Sequence, residues 1–147
     1  MTANKDKIIS YSHKLNWQKA KIGKLSADKK EIIEIATPAD FGGPDGFWSP
    51  EDLFVASVNS CVMTTFLFFI QKRKIKLLDY ESKAEGFIEK REGKLKFREI
   101  IIQPTIVIPE DVSENQIIKI IELSKKHCLI SNSINCFVEL KYQIKKR

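Results

Sequence analysis

The sequence predicts an α+β fold: a mainly antiparallel sheet carrying one long, central hydrophobic helix and a second, shorter helix. Three observations predict it. Residues 53–70 contain no charged side chain over 18 positions. They follow Ser49-Pro50-Glu51-Asp52, where a serine can cap, a proline suits the first helical position and two acids complement the helix dipole. Two long strand-like stretches, Lys76 to Lys90 and Lys94 to Val107, then flank Arg91-Glu92-Gly93, a hairpin signal.

The remaining elements follow from local pattern. Over residues 8–17, Ile9, Tyr11, His13, Leu15 and Trp17 fall on one face of a period-two strand. Lys19 to Ile22 extends it loosely, and Gly23 is expected to turn. Glu31 to Ala36 is a β-branched run and predicts a second strand. Residues 37–46 are dense in turn formers and exclude regular structure. The long helix is expected from Pro50 to Arg73, with Lys72, Arg73 and Lys74 at the end where cations are favoured. Pro109 ends the second long strand. Ser113 with Gln116 resembles a capping box. Ile117, Ile118, Ile120, Ile121 and Leu123 give a helical stripe, so the second helix covers 113–127. Ile134, Cys136, Val138, Leu140 and Tyr142 alternate, which predicts a final strand from Asn132 to Ile144.

Composition bounds the function. A chain of 147 residues with 43% apolar content fits a single domain over residues 1–147, with a core that needs no staples. Three cysteines are too few for a disulfide scaffold. Two histidines and scattered cysteines argue against structural zinc, and no metal or cofactor is expected. The formal charge of +6 comes from lysines spread along the chain. The runs Lys72-Arg73-Lys74 and Lys145-Lys146-Arg147 are not interleaved with aromatics. A solvated basic surface is expected, not nucleic-acid binding. The start, MTANKDKIIS, lacks the apolar centre of a signal peptide. Residues 53–70 include Ser57, Asn59, Ser60, Cys61, Thr64 and Thr65, so they are expected to form a core helix and not a membrane span. A cytoplasmic location follows as the expectation, where free thiols are normal.

Taken singly, the chemically interesting residues have plain structural explanations. Cys61 lies near the middle of the long helix, Cys128 beside His127 at the end of the second, and Cys136 on a strand face. Each fits a buried core cysteine. Glu51 fits the dipole of the helix it starts. His13 and His127 fit structural roles.

The spacings carry more. Gly42-Gly43-Pro44-Asp45-Gly46, Ser49-Pro50-Glu51-Asp52-Leu53, Ala56-Ser57, Ser60-Cys61 and Met63-Thr64 resemble the signature of the OsmC/Ohr family of organic hydroperoxide reductases. Lys126-His127-Cys128-Leu129-Ile130-Ser131 resembles that family's second cysteine motif, and the element order matches over residues 8–145. The resemblance implies an intertwined homodimer and a thiol peroxidase without a cofactor. Cys61 matches the peroxidatic cysteine, Cys128 the resolving cysteine and Glu51 the acid that organises the site. An organic hydroperoxide would be the substrate, and an external dithiol would reset the enzyme. Phe41, Phe47, Trp48, Phe66, Phe68 and Phe69 favour an apolar substrate, with Phe47, Trp48 and Lys21 as pocket residues. The family's active members carry an arginine beside the Glu, and this chain has no arginine before Arg73. Lys19, Lys21 or Lys24 could supply the charge, without the guanidinium fork.

Ten residues of helix separate Glu51 from Cys61, about 15 Å of rise. If both serve one site, Glu51 must reach the Cys61 of a second subunit. The alternative reading is a non-catalytic dimer of the same fold that binds a small apolar ligand in its interface cleft.

Overall fold

The computed structural model describes residues 7–147, so the reading of residues 1–6 as a polar start lies outside the described residues. Two compact units divide the chain, one ending at Phe54 and the other running from Val55 to Arg147.

The first unit is an antiparallel meander of β1 (Lys14–Lys19), β2 (Ile22–Ser26) and β3 (Ile33–Ala36). The first turn is not at Gly23. It lies at Ala20-Lys21, with Ala20 at φ 46°, and the Trp17 indole pins it by donating to the Ala20 carbonyl at 2.9 Å. Gly23 belongs to β2. A Cβ there would meet Leu15 at 3.2 Å and the Asn16 carbonyl at 3.3 Å, so the glycine serves close packing and not a turn. The strand expected from residue 8 begins only at Lys14, because its last cross-strand partner, Ser26, is the end of β2. After β3 the chain makes a single 3-10 turn, Ala39–Phe41, closed by Gly42 at φ 83°. It returns beside β3, where the Ala36 N–H donates to the Trp48 carbonyl at 2.9 Å.

Helix α1 (Pro50–Lys72) begins with a reciprocal cap. The Ser49 N–H and hydroxyl both donate to Asp52 Oδ2 at 2.9 Å, and the Asp52 N–H donates to Ser49 Oγ at 3.0 Å. The second unit continues with β4 (Asp79–Arg91) and β5 (Lys94–Ile108). Glu92 and Gly93 connect them at φ 50° and 78°, the doubly left-handed pair of a type I′ hairpin turn. Then come α2 (Glu114–His127), β6 (Phe137–Leu140) and β7 (Gln143–Lys146). Because α2 carries the chain back across the sheet, β6 and β7 both run parallel to β5.

The single last strand expected from Asn132 to Ile144 is therefore two strands, and its first residues form a 3-10 turn, Ser131–Ser133. Pro104 explains the break. The Lys141 N–H donates to the Ile102 carbonyl at 2.8 Å. The parallel ladder next requires an N–H from residue 104, which proline lacks.

The core of this unit joins Phe66 and Ile70 of α1, Ile106 and Ile108 of β5, and Ile117, Ile120 and Ile121 of α2. Gly86 of β4 lets that strand approach the helix. A Cβ there would lie 2.6 Å from a Val55 methyl and 2.8 Å from the Phe97 ring. Helix α1 buries Val58, Val62, Thr65, Phe66 and Ile70. Its most apolar 18-residue stretch has a mean hydropathy of 2.0, enough by length and composition to cross a membrane, and only 28% of that stretch is buried. The capping box expected at Ser113 does not form: Ser113 is the N-cap residue of α2 but makes no side-chain capping bond.

Candidate active site

In the second unit the fold brings two cysteines together that lie far apart in sequence. Cys61 sits on α1 and is half-buried. Its Sγ lies 4.0 Å from the hydroxyl of Thr65, one turn on. Cys128 ends α2 and is fully buried. Burial pushes the Cys128 thiol up. Hydrogen bonds from Ser131, side chain and backbone, pull it partly back, and its interactions with Cys61 raise it again. The two side chains are thus neighbours. At neutral pH Cys128 is held as the thiol.

Local hydrogen bonds fix the segment after Cys128. The Asn132 N–H donates to the Cys128 carbonyl at 3.0 Å, and the Ser131 hydroxyl donates to the same carbonyl at 3.2 Å. The Asn132 side chain donates to the Lys126 carbonyl at 3.0 Å. His127 lies against Phe69, with ring centroids 5.8 Å apart. Cys136 precedes β6, and burial raises its thiol too.

In the first unit Glu51 occupies the first turn of α1, and its Oε2 is buried without a hydrogen-bond partner. Lys21 is exposed and donates to the Gly42 carbonyl at 3.2 Å, which ties it to the Gly-rich loop. Lys24 lies opposite Glu34 across β2 and β3, and Lys19 opposite Ile22. The ion pairs of the described residues, Arg91 with Glu89 and Arg98 with Glu99, involve neither Glu51 nor these lysines. The Gly-rich loop is shut by the Gly43 N–H donating to the Pro38 carbonyl at 3.1 Å. A Cβ on Gly43 would lie 1.6 Å from the Thr37 carbonyl oxygen, so only glycine fits. Phe47 is half-buried on this loop and Trp48 is 55% exposed.

Sequence reasoning missed Thr65 and the role of Ser131. The i, i+4 spacing from Cys61 was the available signal for Thr65. For Ser131 none existed, because its bonds depend on the turn after α2.

Comparison with known proteins supports the fold. An uncharacterized protein, YmaD, of Bacillus subtilis is 24% identical over 115 residues, 76% of this chain and 77% of its own length. An uncharacterized protein of Methanocaldococcus jannaschii is 33% identical over 91 residues, 62% of this chain and 47% of its own length. Among solved structures, an OsmC-like protein of unknown function from Vibrio cholerae matches with TM-score 0.84 at 21% identity, over 92% of this chain and 99% of that one. An organic hydroperoxide resistance protein from Legionella pneumophila matches with TM-score 0.71 at 21% identity, over 94% and 99%. The family model described as OsmC-like protein matches residues 43–143, which include the Gly-rich loop from Gly43 on, both helices, Cys61 and Cys128. The chain belongs to the OsmC/Ohr family.

Proposed function

We propose that this chain is a cysteine-based peroxidase that reduces organic hydroperoxides and works as a cytoplasmic homodimer. The observation that carries the proposal is that Cys61 and Cys128 are neighbours in the fold, which suits two core cysteines to work as a redox pair. The Cys61 thiolate attacks the O–O bond of the hydroperoxide. A sulfur–oxygen bond forms, the O–O bond breaks, and the alkoxide leaves as an alcohol after taking a proton. Cys128 then attacks the sulfenic sulfur, a disulfide forms and water leaves. An external dithiol takes the disulfide back to two thiols by exchange. Holding Cys128 as a thiol suits this order, since it stays unreactive until the sulfenic acid is beside it.

The dimer rests on uncovered apolar surface. Much of α1 is only half-buried, and Leu15 and Trp17 of β1 are 57% and 76% exposed. An unbroken helix separates Glu51 from Cys61 within one chain, so Glu51 would serve the Cys61 of the second subunit. Its unpartnered Oε2 is then available to that site. Sedimentation at micromolar concentration should give twice the chain mass of 16.9 kDa.

Two variants test the chemistry. Cys61→Ser should abolish hydroperoxide consumption. Cys128→Ser should allow a single turnover and leave a sulfenic acid on Cys61 that a dimedone probe traps. The reverse pattern would exchange the roles.

A second reading, a ligand-binding dimer without turnover, is favoured by one observation: among the described residues no ion pair involves Glu51, and Lys21 is engaged with Gly42. That reading takes over if the wild-type protein loses no thiol to any hydroperoxide.

A further inference from the structure

The positive charge is not evenly divided. Residues 55–147 hold 17 lysines and arginines against 11 acids, which accounts for the whole +6, and residues 1–54 balance. Within the second unit, Arg73, Ile118, Lys119, Glu122, Leu123 and Lys126 line an open groove of about 560 Å³ at the end of α1 and along the outer face of α2. Its floor is apolar, from half-buried Ile118 and Leu123. Its rim carries three exposed cations and one acid. Lys72 and Lys74 flank Arg73, and Lys125 flanks Lys126. Groove and redox pair meet only at the end of α2, where exposed Lys126, its carbonyl fixed by Asn132, is two residues before the inward-facing Cys128. Leu129, the next residue after the buried Cys128, is 57% exposed.

We infer that this groove is the docking surface for the protein that reduces the disulfide, and that this partner presents acidic and apolar side chains around its dithiol. The inference rests on the peroxidase reading and adds the identity of the partner's surface. A cationic rim around an apolar floor matches an acidic rim around an apolar anchor, and such pairing accelerates encounter most at low salt. The reaction balances within the complex. One partner thiolate bonds to a sulfur of the Cys61–Cys128 disulfide, and the other sulfur leaves as a thiolate and takes a proton. The second partner thiol then displaces the first cysteine, so the partner is oxidised to a disulfide and both cysteines become thiols.

The test uses the full chain, oxidised with one equivalent of hydroperoxide. Its probes are two Cys-Gly-Pro-Cys peptides, one flanked by glutamates and leucine, the other by lysines and leucine. Dithiothreitol serves as the uncharged dithiol. The acidic peptide should reduce the disulfide about tenfold faster than the basic one at low salt, and the ratio should collapse at high salt. Lys119→Glu with Lys126→Glu should abolish or invert the preference. Lys94→Glu with Lys96→Glu, the same charge change at the hairpin tip, should keep it. Dithiothreitol should reduce all three proteins equally. Equal rates for both peptides on the wild type, or equal loss in both double variants, would overturn the inference. If hydroperoxide forms no disulfide, the peroxidase reading fails instead. Docking is then judged by titrating the reduced protein with the acidic peptide carrying serines for cysteines. Saturable, salt-sensitive binding lost only in the Lys119/Lys126 variant supports the groove, and its absence refutes it.

Discussion

The strands of the first unit and those of the second obey the same alternation but meet different fates. Up to Phe54, only Gly23, Ala36 and Ser49 are buried among the described residues. Leu15, Trp17 and Ile33 stand on strands with 40–76% of their surface exposed. From Val55 onward, Ile100, Ile102, Ile106 and Ile108 on one face of β5 are fully buried, and Ile106 and Ile108 share a cluster with residues of both helices. The period of a strand states which side chains share a face, but not what covers that face. The second unit brings its own cover. The first holds its shape mainly by backbone ladders, and its apolar face is left exposed.

That contrast can be broken most sharply by truncating one large side chain in each unit. Phe66→Ala should cost roughly 3–5 kcal/mol in denaturant titrations, since Phe66 is 1% exposed in the core. Trp17→Ala should cost no more than about 1.5 kcal/mol, the loss of its indole bond to the Ala20 carbonyl, and weaken self-association instead. If Trp17→Ala destabilises as much as Phe66→Ala, the first unit is not the open surface described. Gly86→Ala comes next. The new methyl must push into Val55 and Phe97, so a loss of about 1–3 kcal/mol is expected, read as a lower urea midpoint. The two helix starts offer a finer test. Ser49→Ala removes a reciprocal cap and should cost about 0.5–2 kcal/mol. Ser113→Ala removes no capping bond and should stay within about 0.5 kcal/mol.

The smallest effect concerns Tyr80, which packs on Phe66 with ring centroids 5.4 Å apart. Burial pushes its phenol from 10.0 to about 12, a rise that Ser82 offsets only in part. The folded chain therefore keeps this proton where the unfolded chain loses it. Its contribution is complete below pH 10 and falls away as pH rises toward 12. Tyr80→Phe should flatten the stability–pH curve in that window. At neutral pH it should stay within about 0.5 kcal/mol. Thermal melts of both proteins at matched pH values would show this.

What the sequence made legible was whatever local chemistry decides. The start of α1 was clear from Ser49-Pro50-Glu51-Asp52, and the hairpin from Arg91-Glu92-Gly93. What it hid depends on neighbours distant in sequence. Gly23 signalled a turn but fills a close contact beneath Leu15. Ser113 and Gln116 matched the pattern of Ser49 and Asp52, yet the bond forms only at the first helix. For the site, the two cysteine motifs marked Cys61 and Cys128, while Thr65 and Ser131 gained their roles only from the path of the chain around the sulfurs. No residue type announces that Lys21 will tie down the Gly42 loop.

Pro104 has a consequence beyond interrupting a ladder. It sits in β5, but its effect appears one strand away, where the edge of the sheet is divided into four-residue β6 and four-residue β7. An unbroken edge there would be a ready template for a stray strand from another molecule. A newcomer instead finds two short, separated runs, the second bearing Lys145 and Lys146. A proline in an interior strand thereby acts as a guard against aggregation at an edge it does not occupy.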